Sequence, residues 1–166
     1  MNYKKYKLLK KDKIVFNNLT LYRIKSLIDF DDVKKGDLGG YIMCEDNLSQ
    51  FGSCWIYDNS KVMGNAVVRD YAKIRGNCII EENATIKDSA YINGSELVRI
   101  GGFSYIEEKA HISGTVFIQG YTHIYGRAII TGLNGAPVDI QGHTHIFGTA
   151  NVTGLRSGIG ISDNST

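Results

Sequence analysis

Between Ser53 and Val98, eight aliphatic residues recur every six positions: Ile56, Val62, Val68, Ile74, Ile80, Ile86, Ile92 and Val98. Six matches neither the three- and four-residue spacing of a helical face nor a whole number of 3.6-residue turns, so this stretch is not a helix. A strand returns to the same side every second residue, so an even period points each aliphatic residue the same way in short strands separated by turns. Two residues before each aliphatic, a small side chain fills seven of eight slots (Cys54, Ser60, Ala66, Ala72, Cys78, Ala84, Ala90), and Glu96 is the exception. Two residues after, seven of eight slots hold Gly or an acidic residue. Glycine at that slot tolerates positive φ, and the Asn after Gly64 and Gly76 is the next most tolerant residue.

A chain that turns after each short strand and always buries the same face closes a triangular prism. Each coil takes three strands and 18 residues, and coils stack by parallel hydrogen bonding about 4.8 Å apart. After Val98 the array is expected to shift by two residues and resume at Ile106, Ile112, Ile118, Ile124 and Ile130. Leu133 to Pro137 then adds four residues before Ile140, Ile146 and Val152. With Ile42 and Leu48 at the start there are eighteen aliphatic steps, so the column has about six coils and is about 29 Å long.

The predicted fold is all-β, a parallel β-helix over residues 42–154, preceded by a cap (1–41) and followed by a tail (155–166). Tyr6–Leu9, Ile14–Phe16 and Leu19–Ile24 read as short strands, with Asn17-Asn18 as a two-residue hairpin turn. The hairpin covers the open first coil, and Leu27, Ile28 and Phe30 are expected to plug it. The last coil is expected to be closed by the tail or by a second subunit.

Charge is uneven. Residues 1–35 carry ten Lys or Arg against four Asp, and the rest carry nine against thirteen acids. Without clustered Arg or a nucleic-acid motif, the basic segment reads as a solvated, edge-protecting face, and nucleic acid is not an expected partner. No run of 18 apolar residues offers a membrane span, and the Lys-rich start lacks the apolar core of a signal peptide. Cys54 and Cys78 fall on buried slots and Cys44 lies near the first coil, as reduced core thiols would. A cytoplasmic protein is expected.

The segments Ala-Lys-Ile-Arg-Gly-Asn (72–77) and Ala-Val-Val-Arg-Asp (66–70) resemble the hexapeptide repeat of left-handed parallel β-helix proteins, many of which are acyltransferases. The left hand of the coil and a trimeric assembly are implied by that resemblance. Here Gly stands two residues after the aliphatic instead of one. With Lys-Lys-Gly-Asp-Leu-Gly-Gly-Tyr-Ile (34–42) and Asn-Leu-Ser (47–49), this variant looks more like the acyltransferase-like YdcK-type proteins of bacteria and prophages. The resemblance covers roughly residues 6–154.

Every third aliphatic step places Val68, Ile86, Ile106, Ile124 and Ile146 on one flat. Their outward neighbours stack as Val67, Thr85, Tyr105, His123 and His145 on one side and Arg69, Lys87, Glu107, Tyr125 and Phe147 on the other, with Phe103, Tyr121 and His143 three residues before the last three aliphatics. The candidate binding surface is therefore Phe103, Tyr105, Tyr121, His123, Tyr125, His143, His145 and Phe147, holding three of the four histidines.

The reading adopted is a rigid, non-catalytic binding or assembly module of the mobile-element kind. It would be oligomeric, act on a host protein partner through this flat, and need no cofactor. The alternative is acyl transfer from CoA to a small hydroxyl or amine. The resemblance then implies His123 or His145 as general base, with His143 next, although no carboxylate orienter is evident beside a histidine. No metal is expected: His143 and His145 stand about 7 Å apart along a strand and do not match the histidine pattern of related zinc enzymes. His111 falls on another flat, and Trp55, Tyr57, Tyr91 and Tyr41 point outward on other flats as a candidate contact patch.

Overall fold

The structure, a computed structural model, describes residues 4–133, 135–154 and 159–162. The chain is nearly all β, and its strands wind into a three-sided solenoid of about six turns. Flat A stacks Ile56, Ile74, Ile92, Ile112, Ile130 and Val152. Flat B stacks Ile42, Val62, Ile80, Ile100, Ile118 and Ile140. Flat C stacks Leu48, Val68, Ile86, Ile106, Ile124 and Ile146. All but Val152 are buried and form one continuous core. Each full burial contributes about 1.5–3 kcal/mol, so the periodic aliphatics dominate the favourable side of folding.

One slot differs from the sequence reading. Val98 pairs with Cys78 and Val116, so it occupies the small-residue slot, and Ile100 takes the flat. The two-residue insertion therefore precedes Val98, between Gly94 and Val98, where the register shifts. Glu96 looked like an exception because it belongs to this insertion. The four-residue insertion lies at the same corner, since Gly114 pairs with Gly132 while Val116 pairs with Val138. Both insertions thus fall between flats A and B, and flat C is undisturbed.

The acidic residues two places after the aliphatics have a double role. Asp58, Asp70, Glu82, Asp88 and Glu108 all adopt positive φ, between 54° and 61°. Each then accepts an N–H from the coil above: Asp58 from Gly76 at 2.9 Å, Asp70 from Asp88 at 3.3 Å, Asp88 from Glu108 at 3.1 Å, Glu108 from Gly126 at 2.8 Å, and Glu82 from Gly102. The carboxylate satisfies a donor that the turn directs away from the ladder, which offsets the left-handed strain.

The N-terminal segment forms strands β1 (Tyr6–Phe16) and β2 (Leu19–Ser26), paired antiparallel through Asn17 and Asn18 at φ 49° and 61°. The two short strands expected before the turn are one strand with a register shift between Leu9 and Lys13. Strand β3 (Leu38–Ile42) pairs antiparallel with β2 and parallel with the first coil, joining hairpin to column.

The first coil is plugged only partly as expected: Phe30, half-buried, packs on the core against Trp55, but Tyr6, Ile24 and Val33 are the buried residues there, Leu27 is half-buried and Ile28 is exposed. The Tyr6 hydroxyl donates to Leu48 O at 2.6 Å. Lys5, counted above with the solvated cations, is 2% exposed, and its amine donates to the carbonyls of Phe51, Gly52 and Cys54 at 3.4, 3.3 and 2.9 Å. It serves acceptors that no preceding coil can pair. Of the tail, Ile159–Ile161 pairs parallel with Val138–Ile140; closure of the last coil by residues 155–158 and 163–166 lies outside the described residues. No helix among the described residues is long and apolar enough to cross a membrane.

Candidate functional site

Flat C carries the site because its outward residues are in register from coil to coil. Thr85, Tyr105, His123 and His145 are direct ladder partners, as are their buried neighbours Ile86, Ile106, Ile124 and Ile146. The structure brings all eight residues of the predicted surface onto this side as three columns. Phe103 stacks on Tyr121 (5.0 Å between centroids, 6° between planes), and Tyr121 on His143 (4.8 Å, 2°). Tyr125 stacks on Phe147 (5.4 Å, 12°). Between them Tyr105, His123 and His145 meet edge to face at 6.3 and 5.7 Å. Parallel strands force identical positions to within one coil spacing, so rings at these positions stack with little choice.

A surface groove of about 590 Å³ runs among these columns, lined by Lys87, Phe103, Tyr105, Glu107, Tyr121, Thr122, His123 and His145. A second groove of about 630 Å³, round the corner at Asp88, Glu108, Lys109 and Arg127, contains no histidine.

Glu107 corrects the expectation that no carboxylate stands beside a histidine. Its Oε1 lies 2.6 Å from His123 Nε2, and its Oε2 bonds the Lys87 amine. Lys87 sits directly below Glu107 on the ladder, while His123 is the diagonal neighbour, 16 residues later. That diagonal is one 18-residue coil less two, a contact that flat-sheet geometry permits for long side chains. The sequence contained this signal, but only same-column neighbours were paired.

The electrostatics are consistent with a fixed charge at Glu107. The hydrogen bond from Lys87 lowers its pKa against the opposing effect of burial, and the bond to His123 lowers it further. Reciprocally, the bond to Glu107 raises the pKa of Lys87. Because an ionised carboxylate can only accept, Nε2 is the donating nitrogen in this contact. The group has the parts of a base with its orienter. His145, exposed, has His123 as its ring neighbour.

Other candidates separate from this flat. His111 lies on flat A against Tyr91 at 5.0 Å. Trp55 is 1% exposed beneath the cap, against Tyr6 and Phe30, and Tyr41 is also buried. The proposed contact patch around Trp55 is therefore covered by the N-terminal segment, a long-range event that local spacing does not encode. Tyr57 donates to Asp32 at 2.7 Å, and Lys73 and Arg75 also bind that carboxylate. Among the described residues, no group of three or more His, Cys, Asp or Glu is arranged to hold a metal ion.

No family model matches the chain. A 43-residue stretch is 46% identical to a protein of Escherichia coli (strain K12) described as an uncharacterized acetyltransferase, YdcK. That match covers 26% of this chain and 13% of the other protein, so it supports a distant, acyltransferase-like relationship over part of the chain.

Proposed function

We propose that this chain is a left-handed hexapeptide-type solenoid that transfers an acyl group from CoA to a small acceptor, with His123 as general base. The observation that carries the reading is the 2.6 Å contact between His123 Nε2 and Glu107, in a groove walled by aromatic rings. It supplies the carboxylate that a histidine base needs to hold its ring in place. His123 would take the proton of an acceptor hydroxyl or amine as the acceptor attacks the thioester carbonyl. The new C–O or C–N bond forms, the C–S bond breaks, and the CoA thiolate leaves with the proton from His123. Glu107 would stabilise the imidazolium formed in between. A trimer in the cytoplasm belongs to this proposal, because a neighbouring prism would close an otherwise open groove.

Acetyl-CoA binding and thiol release test it. Acetyl-CoA should raise the melting temperature, His123→Ala should reduce turnover about 100-fold or more, and Glu107→Gln should reduce it less. A wild-type protein that neither binds nor consumes acetyl-CoA would refute the assignment.

A second reading rests on the exposed rings: Phe103, Tyr105, Tyr121 and Phe147 are each 47–58% exposed on one rigid flat. Such a surface would dock a protein partner of a prophage-encoded module with little ordering cost. Co-purification of a stoichiometric partner that is lost with Tyr121→Ala, in a protein inert to acetyl-CoA, would favour this reading over catalysis.

A further inference from the structure

The His123 groove contains one carboxylate and one amine, and each is engaged with the other. Among the groove-lining residues Glu107 is the only acid and Lys87 the only Lys or Arg. Glu107 Oε1 meets His123 and Oε2 meets Lys87. Of the acids next in sequence to this pair, Asp88 lies 4.0 Å from the Lys87 amine and accepts the Glu108 N–H at 3.1 Å, and Glu108 accepts the Gly126 N–H at 2.8 Å. Side-chain exposures of 24% for Lys87 and 16% for Glu107 place this pair at the base of the groove rather than in open solvent.

We infer, on the footing of the acyl-transfer reading, that Lys87 determines acceptor specificity: by occupying the second oxygen of Glu107 it leaves the groove without a free carboxylate. The acceptor is then an uncharged hydroxyl compound with a ring or apolar body, not an ammonium. An amine is a cation at neutral pH, and seating it against the rings of Phe103 and Tyr121 without a counter-ion carries a desolvation penalty. An anionic acceptor meets the same difficulty, because the one amine is paired. A neutral polyol has no such penalty: its C–H surface packs on the rings and a hydroxyl can reach the histidine. The product is an ester, formed as the acceptor O–H proton passes to His123 and on to the departing CoA thiolate. Lys87 is a positioning and selecting residue here, because it acts through Glu107.

The experiment uses the full chain with acetyl-CoA and two probes in separate assays, 4-nitrophenyl β-D-galactoside and tryptamine. Thiol release measures rate, and hydroxylamine lability distinguishes ester from amide. Wild type is expected to favour the galactoside in kcat/KM by about tenfold or more, because specificity is a difference of two interaction energies. Lys87→Met, which frees Oε2, should shift the ratio toward tryptamine by about tenfold, whereas Lys87→Arg, which refills it, should restore the wild-type preference. Equal use of both probes by wild type, or an unchanged ratio in a folded Lys87→Met protein, overturns the role of Lys87 and leaves acyl transfer standing. No thiol release with either probe, and none from acetyl-CoA alone, overturns both.

Discussion

Gly114→Ala tests the closeness of the coils more sharply than any core truncation. Gly114 adopts φ +82° at the corner between flats A and B, and a Cβ there would lie 1.7 Å from the carbonyl oxygen of Gly132 and 2.8 Å from its carbon. Both atoms are backbone in the next coil, so no side chain can swing away. The corner must open, loosening the pairing of Ser113 with Thr131 and of Gly114 with Gly132. Gly148→Ala is the control: its φ is +67°, yet among the described residues no atom lies within 4 Å of the added carbon. The left-handed backbone costs each variant about 1–2 kcal/mol. Overpacking adds about 1–3 kcal/mol at Gly114 alone. Gly114→Ala should therefore lose about 2–5 kcal/mol and Gly148→Ala about 1–2 kcal/mol in urea titration. Thermal midpoints should fall by about 2–4 °C per kcal/mol for a chain of this size. Equal losses in the two proteins would refute the claim that backbone contact between coils, and not φ alone, requires glycine at 114.

Further outcomes follow from the same geometry. Burial opposes ionisation of Asp32, but hydrogen bonds from Lys73 and Tyr57 outweigh it and bring the carboxyl down to about 2 from 3.8. Its stabilising contribution is therefore complete above pH 3.8 and lost as pH falls toward about 2. Asp32→Asn should remove that acid transition, read from the fluorescence of Trp55, the only tryptophan, which Phe30 covers at 5.5 Å. Burial raises the pKa of the Cys54 thiol and pushes Cys78 up to about 11. A thiol reagent at neutral pH should thus label half-buried Cys44 first, with the other two reacting only on unfolding. In Glu107→Gln, the stability that ionised Glu107 contributes above its unfolded value of 4.5, and that wild type loses as pH falls through the lower folded value, should be absent. An acid titration of both proteins reads the difference.

The histidine face was legible in the sequence because both insertions fall at a single corner, between flats A and B, and leave the flat C ladder in register. Val98 was misplaced because aliphatic character alone does not separate the flat slot from the small-residue slot, which widens to Val98, Val116 and Val138 on flat B. The Glu107–His123 pair was missed because it crosses columns, and a period describes only what lies along one. The acidic corner slots were visible as a regularity, but their use depends on donors in the following coil.

The amino-acid order by itself determined the winding: an even period of aliphatic residues with tolerant corners admits one interior, so the lining residues and the face holding the rings followed directly. Only the tertiary structure decided what becomes of the exterior. The N-terminal hairpin, free of any period, covers Trp55 and Tyr41 and leaves Tyr105, Tyr121 and Phe147 open. Lys5 is drawn from solvent to unpaired carbonyls for the same reason. Contacts between a repeating column and a non-repeating segment depend on where that segment lands, and side-chain reach across ladders depends on distances that spacing does not record.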